Sequence, residues 1–270
     1  MSKILLITLF FLFFLINLAK LGRKHGQGAF QKGASWLEAV IKDLFYQSLH
    51  CLFFPLALFP WGSKKHDKTP IILVHGYMHT RVIWLYHLFH LKKQGFGPIF
   101  TLNLGKPFSS IHSFRNKLST RIKALSKELG KEEFYLIGHS MGGLVCIASA
   151  LEKTGNISIK KVITIGSPIH GTKAAKLAIG ECAREMEKDS SFTQSLAEKM
   201  QQCATTEFFH IGSKTDQLVF PASSSFLRKD RDHVCLVEGV GHVGMMASKK
   251  VHQKLSEYLS SKTLLSQTLD

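Results

Sequence analysis

From Pro70 to the end of the chain, short apolar runs alternate with longer stretches whose apolar residues recur at helical spacing. The predicted strands are Pro70–Val74, Gly97–Asn103, Phe134–Ile137, Lys161–Ile165, Glu207–Ile211 and Val234–Val237. The predicted helices between and after them are Thr80–Gln94, Ile111–Leu129, Met141–Lys153 and Val243–Leu259. Strands of this buried type that alternate with helices predict an α/β fold, with a mostly parallel sheet covered by helices on both faces. One charged stretch, Gly171–Cys203, is predicted to be mostly helical and to contain no strand.

The amino-terminal region has a different pattern. Ile4–Ala19 is almost wholly apolar and is flanked by Lys3, Lys20 and Arg23. This run is close to the lower limit of roughly 17–25 residues for a membrane-spanning helix. Because it has no Ala-x-Ala cleavage site, the pattern favours an uncleaved anchor that makes the protein membrane-associated, with a signal peptide as the second choice. Basic residues on both flanks leave the orientation of the anchor open.

A second apolar stretch, Leu44–Trp61, follows a weak helical pattern at Ala34–Tyr46. Pro55 and Pro60 interrupt it, so it is not expected to be a straight spanning helix. It is expected to be an interfacial segment or a hydrophobic approach to the substrate, or alternatively a pair of short helices covering the core. The polar run Ser63–Thr69 then predicts a division into a membrane-associated segment, residues 1–62, and an α/β domain, residues 63–270.

The overall charge is strongly basic, with 35 Lys and Arg against 19 Asp and Glu, a formal net charge of +16. This balance favours adhesion to anionic membranes or reflects a proteome-wide bias in composition. No nucleic-acid-binding motif accompanies the scattered basic residues, so nucleic acid is not a predicted partner. The five cysteines lack metal-ligand spacing, and the chain has neither an H-E-x-x-H motif nor a dinucleotide fingerprint, so no metal or cofactor is predicted. Cys182 and Cys203 bracket the helical stretch, and their pairing remains open.

The candidate nucleophile is Ser140, in the sequence Gly-His-Ser-Met-Gly between a predicted strand and a predicted helix. This matches the G-x-S-x-G nucleophile elbow in the context that the motif requires. A direct turn from strand to helix forces the serine into a strained conformation, and a side chain at Gly138 or Gly142 would crowd the turn. The hydroxyl is then held clear of the backbone at the positive end of the helix.

A serine nucleophile needs a base and an acid that orients the base. His242 lies on a glycine-rich loop between the last predicted strand and helix, whereas His139 adjoins Ser140 and would point in a different direction. Asp216 follows the strand Glu207–Ile211 and is the preferred acid over Glu238, which is only four residues before His242. The order Ser140, Asp216, His242 is that of the α/β-hydrolase class.

An acyl-transfer site also needs donors for the oxyanion. One is expected to be the backbone N–H of Met141, which follows the nucleophile. The second is expected from the loop after the first strand of the domain, at Tyr77, with Met78 as the alternate. His75 is expected to hold this loop rather than to act as a second base.

Five short motifs together resemble the α/β-hydrolases of the bacterial lipase and esterase type. They are Val-His-Gly-Tyr, Gly-His-Ser-Met-Gly-Gly, Gly-Ser-Pro-Ile-His-Gly-Thr, Gly-Ser-Lys-Thr-Asp-Gln-Leu-Val and Gly-His-Val-Gly. The resemblance covers roughly Pro70–Tyr258 and implies a helical cap at about 171–205, in which Lys173–Cys203 would shape an acyl pocket. Substrate-binding positions are assigned within and beside these motifs, at His75, Met78, His139, Pro168 and Ile169. The first two strands of the full family fold are not evident in residues 1–62.

The resulting hypothesis is a membrane-anchored serine hydrolase that cleaves a lipid or another hydrophobic acyl ester. An acyltransferase or a thioesterase with the same three residues is the nearest alternative. A membrane-tethered binding module without catalytic activity is the alternative from another functional class.

Overall fold

The computed structural model describes residues 29–59, 62–63, 68–152, 155–227 and 233–261. In these residues the strands form one seven-stranded sheet in the order β1-β3-β2-β4-β5-β6-β7. The strands are β1 (Gly62–Ser63), β2 (Ile71–Val74), β3 (Ile99–Leu102), β4 (Glu133–His139), β5 (Ser158–Ile165), β6 (Glu207–Ser213) and β7 (His233–Val237). The short edge strand β1 is antiparallel to β3, and every other neighbouring pair is parallel. The predicted mostly parallel α/β sheet is therefore confirmed.

Strand β4 occupies the middle of the sheet, between β2 and β5. The register aligns Gly138 near its end with Val74 of β2 and with Thr164 of β5. Since the carboxyl ends of parallel strands lie at one edge, the loops that follow β2, β4, β5, β6 and β7 all meet there. This edge carries the residues that the sequence assigns to catalysis.

Helices cover both faces of the sheet. Besides the N-terminal helix they are α2 (Leu85–Lys93), α3 (Ile111–Leu129), α4 (Met141–Ala150), α5 (Glu181–Glu185), α6 (Ser191–Gln202) and α7 (Lys249–Ser260). Alternate residues of β2 point to opposite faces: Ile72 and Val74 join the apolar core under α3 and α4, while Ile71 and Leu73 join the core under α2 and α7. Because both of its faces are buried, β2 is a continuous apolar run.

Two of the predicted α-helices are shorter than expected because the first residues of each form a 3-10 helix. Thr80–Gln94 is divided into the 3-10 helix Arg81–Trp84, which buries three consecutive side chains, and α2. Val243–Leu259 is divided into the 3-10 helix Gly244–Ala247 and α7. A new N-terminus forms at Ser248, whose side chain accepts the Val251 amide and starts α7.

The region of the predicted cap, about 171–205, contains a 3-10 helix at Lys173–Leu177 followed by α5 and α6. It is attached to the loop after β3 at several points. The Glu181 amide donates to the Phe108 carbonyl at 3.0 Å, and Glu185 accepts the Ile111 amide at 2.6 Å. These contacts hold the segment over the carboxyl edge of the sheet.

The N-terminal helix α1 (Ala29–Leu52) is longer and more regular than the weak helix expected at Ala34–Tyr46. It ends before Pro55, and a 3-10 helix follows at Phe54–Leu58. The pair of short helices considered for Leu44–Trp61 is thus the end of one long helix and one short turn. Asp43, Gln47 and His50 on one side of α1 are buried against the domain.

None of the helices among the described residues combines the length and apolar content needed to cross a membrane. The predicted anchor Ile4–Ala19 lies outside these residues, as do residues 64–67 of the predicted linker. The five cysteines are all free thiols, including Cys182 and Cys203.

Candidate active site

Ser140 lies between β4 and α4 with φ 55° and ψ −127°, a strained conformation for a residue with a side chain. Its amide donates to the Ile165 carbonyl of β5 at 2.8 Å, which fixes the turn to the next strand. A Cβ at Gly138 would lie 2.4 Å from the Gly142 backbone, and one at Gly142 would lie 2.4 Å from the Val74 carbonyl oxygen. The two glycines are thus required by close backbone approach, as the motif predicts.

The loop after β2 passes directly beside the nucleophile. A Cβ at Gly76 would lie 2.8 Å from the Ser140 Cβ. His75 ties this loop together: its Nδ1–H donates to the Gly76 carbonyl at 2.9 Å and its Nε2 accepts the Leu104 amide at 3.0 Å. Burial is the main reason that the pKa of His75 falls to about 4, so the imidazole is neutral and suited to these two bonds.

His242 and Asp216 form a buried hydrogen-bonded pair. His242 Nδ1 donates to Asp216 Oδ2 at 2.8 Å, and the side chains are each 2% exposed. Asp216 Oδ1 accepts the amides of Leu218 at 2.7 Å and Val219 at 2.8 Å, so backbone contacts fix the orientation of the carboxylate. The proton on Nδ1 leaves His242 Nε2 unprotonated, which is the tautomer that a general base requires.

Two opposing effects set the pKa of His242. Burial alone would lower it, but the charge of Asp216, the hydrogen bond to Asp216 and the charge of Asp43 together raise it above its usual value of 6.5. Protonation of His242 is therefore easier than its burial alone would allow. This is the electrostatic condition for a base that must hold a proton during a reaction.

The backbone of His242 is also held on both sides. Its amide donates to Gln217 Oε1 at 3.3 Å, and its carbonyl accepts His139 Nε2–H at 3.2 Å. His139 is fully buried, and burial is the main cause that holds its pKa well below 6.5. The rival acid Glu238 is instead exposed and forms an ion pair with Lys214.

A cavity that opens to solvent lies at the carboxyl edge of the sheet, with about 760 Å³ of empty space when the open solvent within it is included. Ser140 and His242 both line it. The apolar part of its wall comes from the loops and the cap: Met78, Pro168, Ala174, Ala175, Ala178, Met186, Leu218 and Val219. Tyr77, His79, Thr172 and Gln47 are the remaining lining residues. Such a wall suits an apolar group placed beside the serine hydroxyl.

The two predicted oxyanion donors lie near this cavity. Met141 is the first residue of α4, where backbone N–H groups have no acceptor within the helix. Tyr77 lines the cavity, and its hydroxyl donates to the Ile179 carbonyl at 2.8 Å and accepts the Ile179 amide at 3.2 Å. Met78 has φ 58°, a conformation that is rare for residues with side chains and is concentrated at functional sites.

The predicted substrate-binding residues are placed in two groups. Met78 and Pro168 line the cavity. His75, His139 and Ile169 are buried at 5%, 0% and 0% exposure and lie outside the set of lining residues. His75 and His139 instead hold the loops that carry Tyr77 and His242.

Sequence reasoning missed the contribution of α1. Gln47 lines the cavity and accepts a hydrogen bond from His79 Nε2 at 2.9 Å, while Asp43 accepts backbone amides next to His242. The available signal was a set of polar residues at helical spacing, Asp43, Gln47 and His50, within an otherwise apolar stretch. No cluster of three or more metal-ligating side chains occurs in the described part of the chain.

Comparison with known proteins agrees with the fold. The family model described as the alpha/beta hydrolase fold matches residues 69–181. The chain is 26% identical over 129 residues to the probable lysophospholipase BODYGUARD 4 of Arabidopsis thaliana, a match that covers 46% of this chain. It spans 30% of the length of that curated relative.

Solved structures of lipases and esterases superpose on most of the chain. The mature lipase BlEst2 of Bacillus licheniformis is 14% identical with a TM-score of 0.62, covering 75% of this chain and 98% of that one. Lipase B of Aspergillus fumigatus is 18% identical with a TM-score of 0.63, covering 78% of this chain and 58% of that one. The chain is thus an α/β-hydrolase-fold protein that is similar to lipases and esterases.

Proposed function

We propose that the protein is a serine ester hydrolase that uses Ser140 as nucleophile, His242 as base and Asp216 as the acid that orients it. The observation that carries this proposal is the buried 2.8 Å hydrogen bond between His242 and Asp216, on the wall of a cavity that Ser140 also lines. Two backbone amides fix the carboxylate, so the pair is preorganised.

The proposed reaction proceeds through an acyl-enzyme. The Ser140 hydroxyl attacks the ester carbonyl while His242 Nε2 takes its proton, and the amides of Met141 and Tyr77 stabilise the oxyanion. His242 then gives the proton to the leaving alcohol. Water enters, loses a proton to His242 and releases the acid, which restores the free serine.

A hydrophobic acyl group is the substrate feature that the cavity supports best. Eight of its 14 lining residues are alanine, methionine, leucine, valine or proline. The names of the similar proteins, lysophospholipase and lipase, point to the same substrate class. A lipid ester is therefore the proposed substrate.

We further propose that the enzyme works at a membrane, with residues 1–62 as the membrane-associated segment. On α1 the residues Leu37, Ile41, Phe45 and Leu52 are 55–68% exposed at helical spacing. Leu58 and Phe59, in the turn after α1, are also exposed apolar residues. The Phe59 carbonyl accepts a hydrogen bond from Arg81, which follows the loop after β2. A row of exposed apolar side chains, on a protein of net charge +16, fits binding to an anionic lipid surface.

The test is hydrolysis of p-nitrophenyl esters of increasing chain length and of a lysophospholipid, by the full chain with and without anionic vesicles. Wild-type protein is expected to release product, to prefer longer acyl chains and to gain activity on vesicles. Ser140→Ala should fold with an unchanged circular dichroism spectrum and lose at least about 10⁴-fold in kcat. A folded Ser140→Ala variant with wild-type activity would refute the assignment, and transfer of the acyl group to added glycerol would indicate an acyltransferase.

A further inference from the structure

The carboxylate of Asp43 contacts the loop that carries His242, although the two residues are 199 positions apart in the chain. Asp43 lies on α1 and is 1% exposed. Its Oδ1 accepts the Gly244 amide at 2.7 Å and its Oδ2 accepts the Val243 amide at 3.2 Å. Both amides immediately follow the proposed base.

The same carboxylate also fits closely against the residue before His242. A Cβ at Gly241 would lie 2.4 Å from Asp43 Oδ1 and 2.5 Å from Oδ2. Gly241 is not among the glycines with a positive φ, and the three atoms nearest to an added Cβ all belong to the Asp43 carboxylate. Asp43 therefore contacts the loop on both sides of His242.

Asp43 also supplies a cap that the loop itself lacks. The 3-10 helix Gly244–Ala247 begins directly after Val243, whose side chain makes no capping hydrogen bond. The unpaired amides at a helix start need acceptors, and here a carboxylate from a distant helix provides them. The turn that follows His242 is thus fixed by α1.

We propose that Asp43 is a positioning residue for His242: its side chain holds the loop that carries the base and, when ionised, adds negative charge near the imidazole. This inference rests on the proposed function of the Ser140 site. It makes α1 part of the catalytic domain as well as part of the proposed membrane-associated segment.

The electrostatic part of the proposal follows from the groups that surround the pair. Burial is the largest effect on Asp43 and raises its pKa to about 7; the two amides and His242 lower it, and Asp216 raises it. The negative charge of Asp43 contributes to the raised pKa of His242. The neighbouring imidazoles His139 and His79 remain neutral, chiefly because burial holds their pKa well below 6.5.

The first test compares Asp43→Asn with Glu38→Gln, the same chemical change on the exposed side of the same helix. Asp43→Asn is expected to lower kcat by about tenfold to a hundredfold, because it displaces His242 from the serine. KM should stay within about twofold of wild type, because the substrate still binds in the same place. The acid limb of kcat/KM should move to lower pH, since the imidazolium loses a negative neighbour. Glu38→Gln should retain wild-type values.

Gly241→Ala is the second variant. It leaves residue 43 an aspartate, but the added methyl group clashes with the Asp43 carboxylate. It is expected to lower kcat by at least about fivefold, and by much less when it is introduced into an Asp43→Ala background, where the added methyl group has space. If the effects of Gly241→Ala and Asp43→Ala on kcat are additive, the proposed contact between these two residues is contradicted. An unchanged kcat and pH profile in both single variants would overturn the proposal.

A measurement without turnover separates this proposal from the proposed function. The pKa of His242 can be measured by NMR in protein labelled with ¹³C at histidine, with His242→Gln to identify its signal among the 14 histidines. Asp43→Asn is expected to lower this pKa even if the wild-type protein hydrolyses no ester, in which case only the proposed function fails. If Asp43→Asn leaves the pKa of His242 unchanged while the wild-type protein hydrolyses esters, the proposed role of Asp43 is refuted and the proposed function stands.

Discussion

Replacing Asp216 with asparagine tests the roles of the buried pair, and the structure indicates how the change acts. Asp216 Oδ1 accepts two backbone amides, at 2.7 and 2.8 Å. Because only the oxygen of an asparagine amide can accept them, the NH₂ group must face His242. His242 Nδ1 then becomes an acceptor and its proton moves to Nε2, which can no longer take a proton from Ser140.

The expected loss follows from this change of tautomer. In the general template of serine hydrolysis, the same substitution lowers kcat by about 10⁴-fold, which corresponds to about 5.4 kcal/mol at about 1.36 kcal/mol per factor of ten. The side chains of His242 and Asp216 are each 2% exposed, so solvent is not expected to compensate for the lost hydrogen bond. We expect a loss of about 10³- to 10⁴-fold in kcat with little change in KM.

The assay is initial-rate hydrolysis of p-nitrophenyl butyrate at pH 8, with thermal melting to verify the fold. Glu238→Gln is the matched control, because Glu238 is the rival acid and is exposed beside Lys214. This control is expected to retain activity within about twofold, as surface ion pairs contribute little. The reasoning is refuted if Asp216→Asn keeps more than a tenth of wild-type kcat, or if Glu238→Gln loses as much activity.

Four further predictions concern pH, the elbow, the cavity and the cap. Since the pKa of His242 is raised above 6.5 and its protonated form cannot act as a base, kcat/KM should fall as pH decreases through a value above 6.5, which a pH–rate profile measures. Gly142→Ala places a Cβ 2.4 Å from a carbonyl oxygen and should lower the free energy of unfolding by at least about 2 kcal/mol in urea titrations. Ala175→Leu narrows the cavity and should shift the preferred ester to a shorter acyl chain, with butyrate turnover kept within about threefold in a chain-length screen. Tyr77→Phe removes both hydrogen bonds to Ile179 and should increase proteolysis of the cap, with butyrate hydrolysis within about threefold of wild type.

The sheet was predictable because its strands are buried on both faces. Runs such as Ile71–Val74 and Val162–Ile165 have no polar alternation, and the helical stretches between them leave a parallel arrangement as the consistent solution. Strand ends were less exact: β4 and β5 extend to Glu133 and Ser158, beyond the apolar residues that mark them in the sequence. Polar residues at strand ends pair through the backbone, which leaves little trace in hydropathy.

The elbow and the loop order of the candidate site were predictable for a local reason. Gly138 is constrained by the backbone of Gly142 and Gly143, a few residues away, so a short motif records it. Gly142 is constrained instead by the Val74 and His75 backbone beside the elbow. The position of His242 follows from the same logic, because the loops after parallel strands end at one edge. The protonation states of the ionisable side chains in the site depend on burial and on neighbouring charges, which cannot be read from the sequence.

The role of α1 was not predictable from local patterns. Asp43 contacts Val243 and Gly244 through a tertiary arrangement, and its segment is apolar enough to resemble a membrane-associated stretch. The sequence signal for such a contact was the helical spacing of Asp43, Gln47 and His50. The two sides of the helix differ: Asp43 and Gln47 face the site, while Ile41 and Phe45 are exposed.

The most direct test of the proposed mechanism is covalent labelling of the full chain with a fluorophosphonate, followed by peptide mass spectrometry. One adduct on Ser140 is expected, with a labelling rate that falls as His242 becomes protonated at low pH and with no adduct in the Ser140→Ala variant. An unlabelled wild-type protein, or an adduct on another residue with Ser140 unmodified, would contradict the assignment of Ser140 as an activated nucleophile.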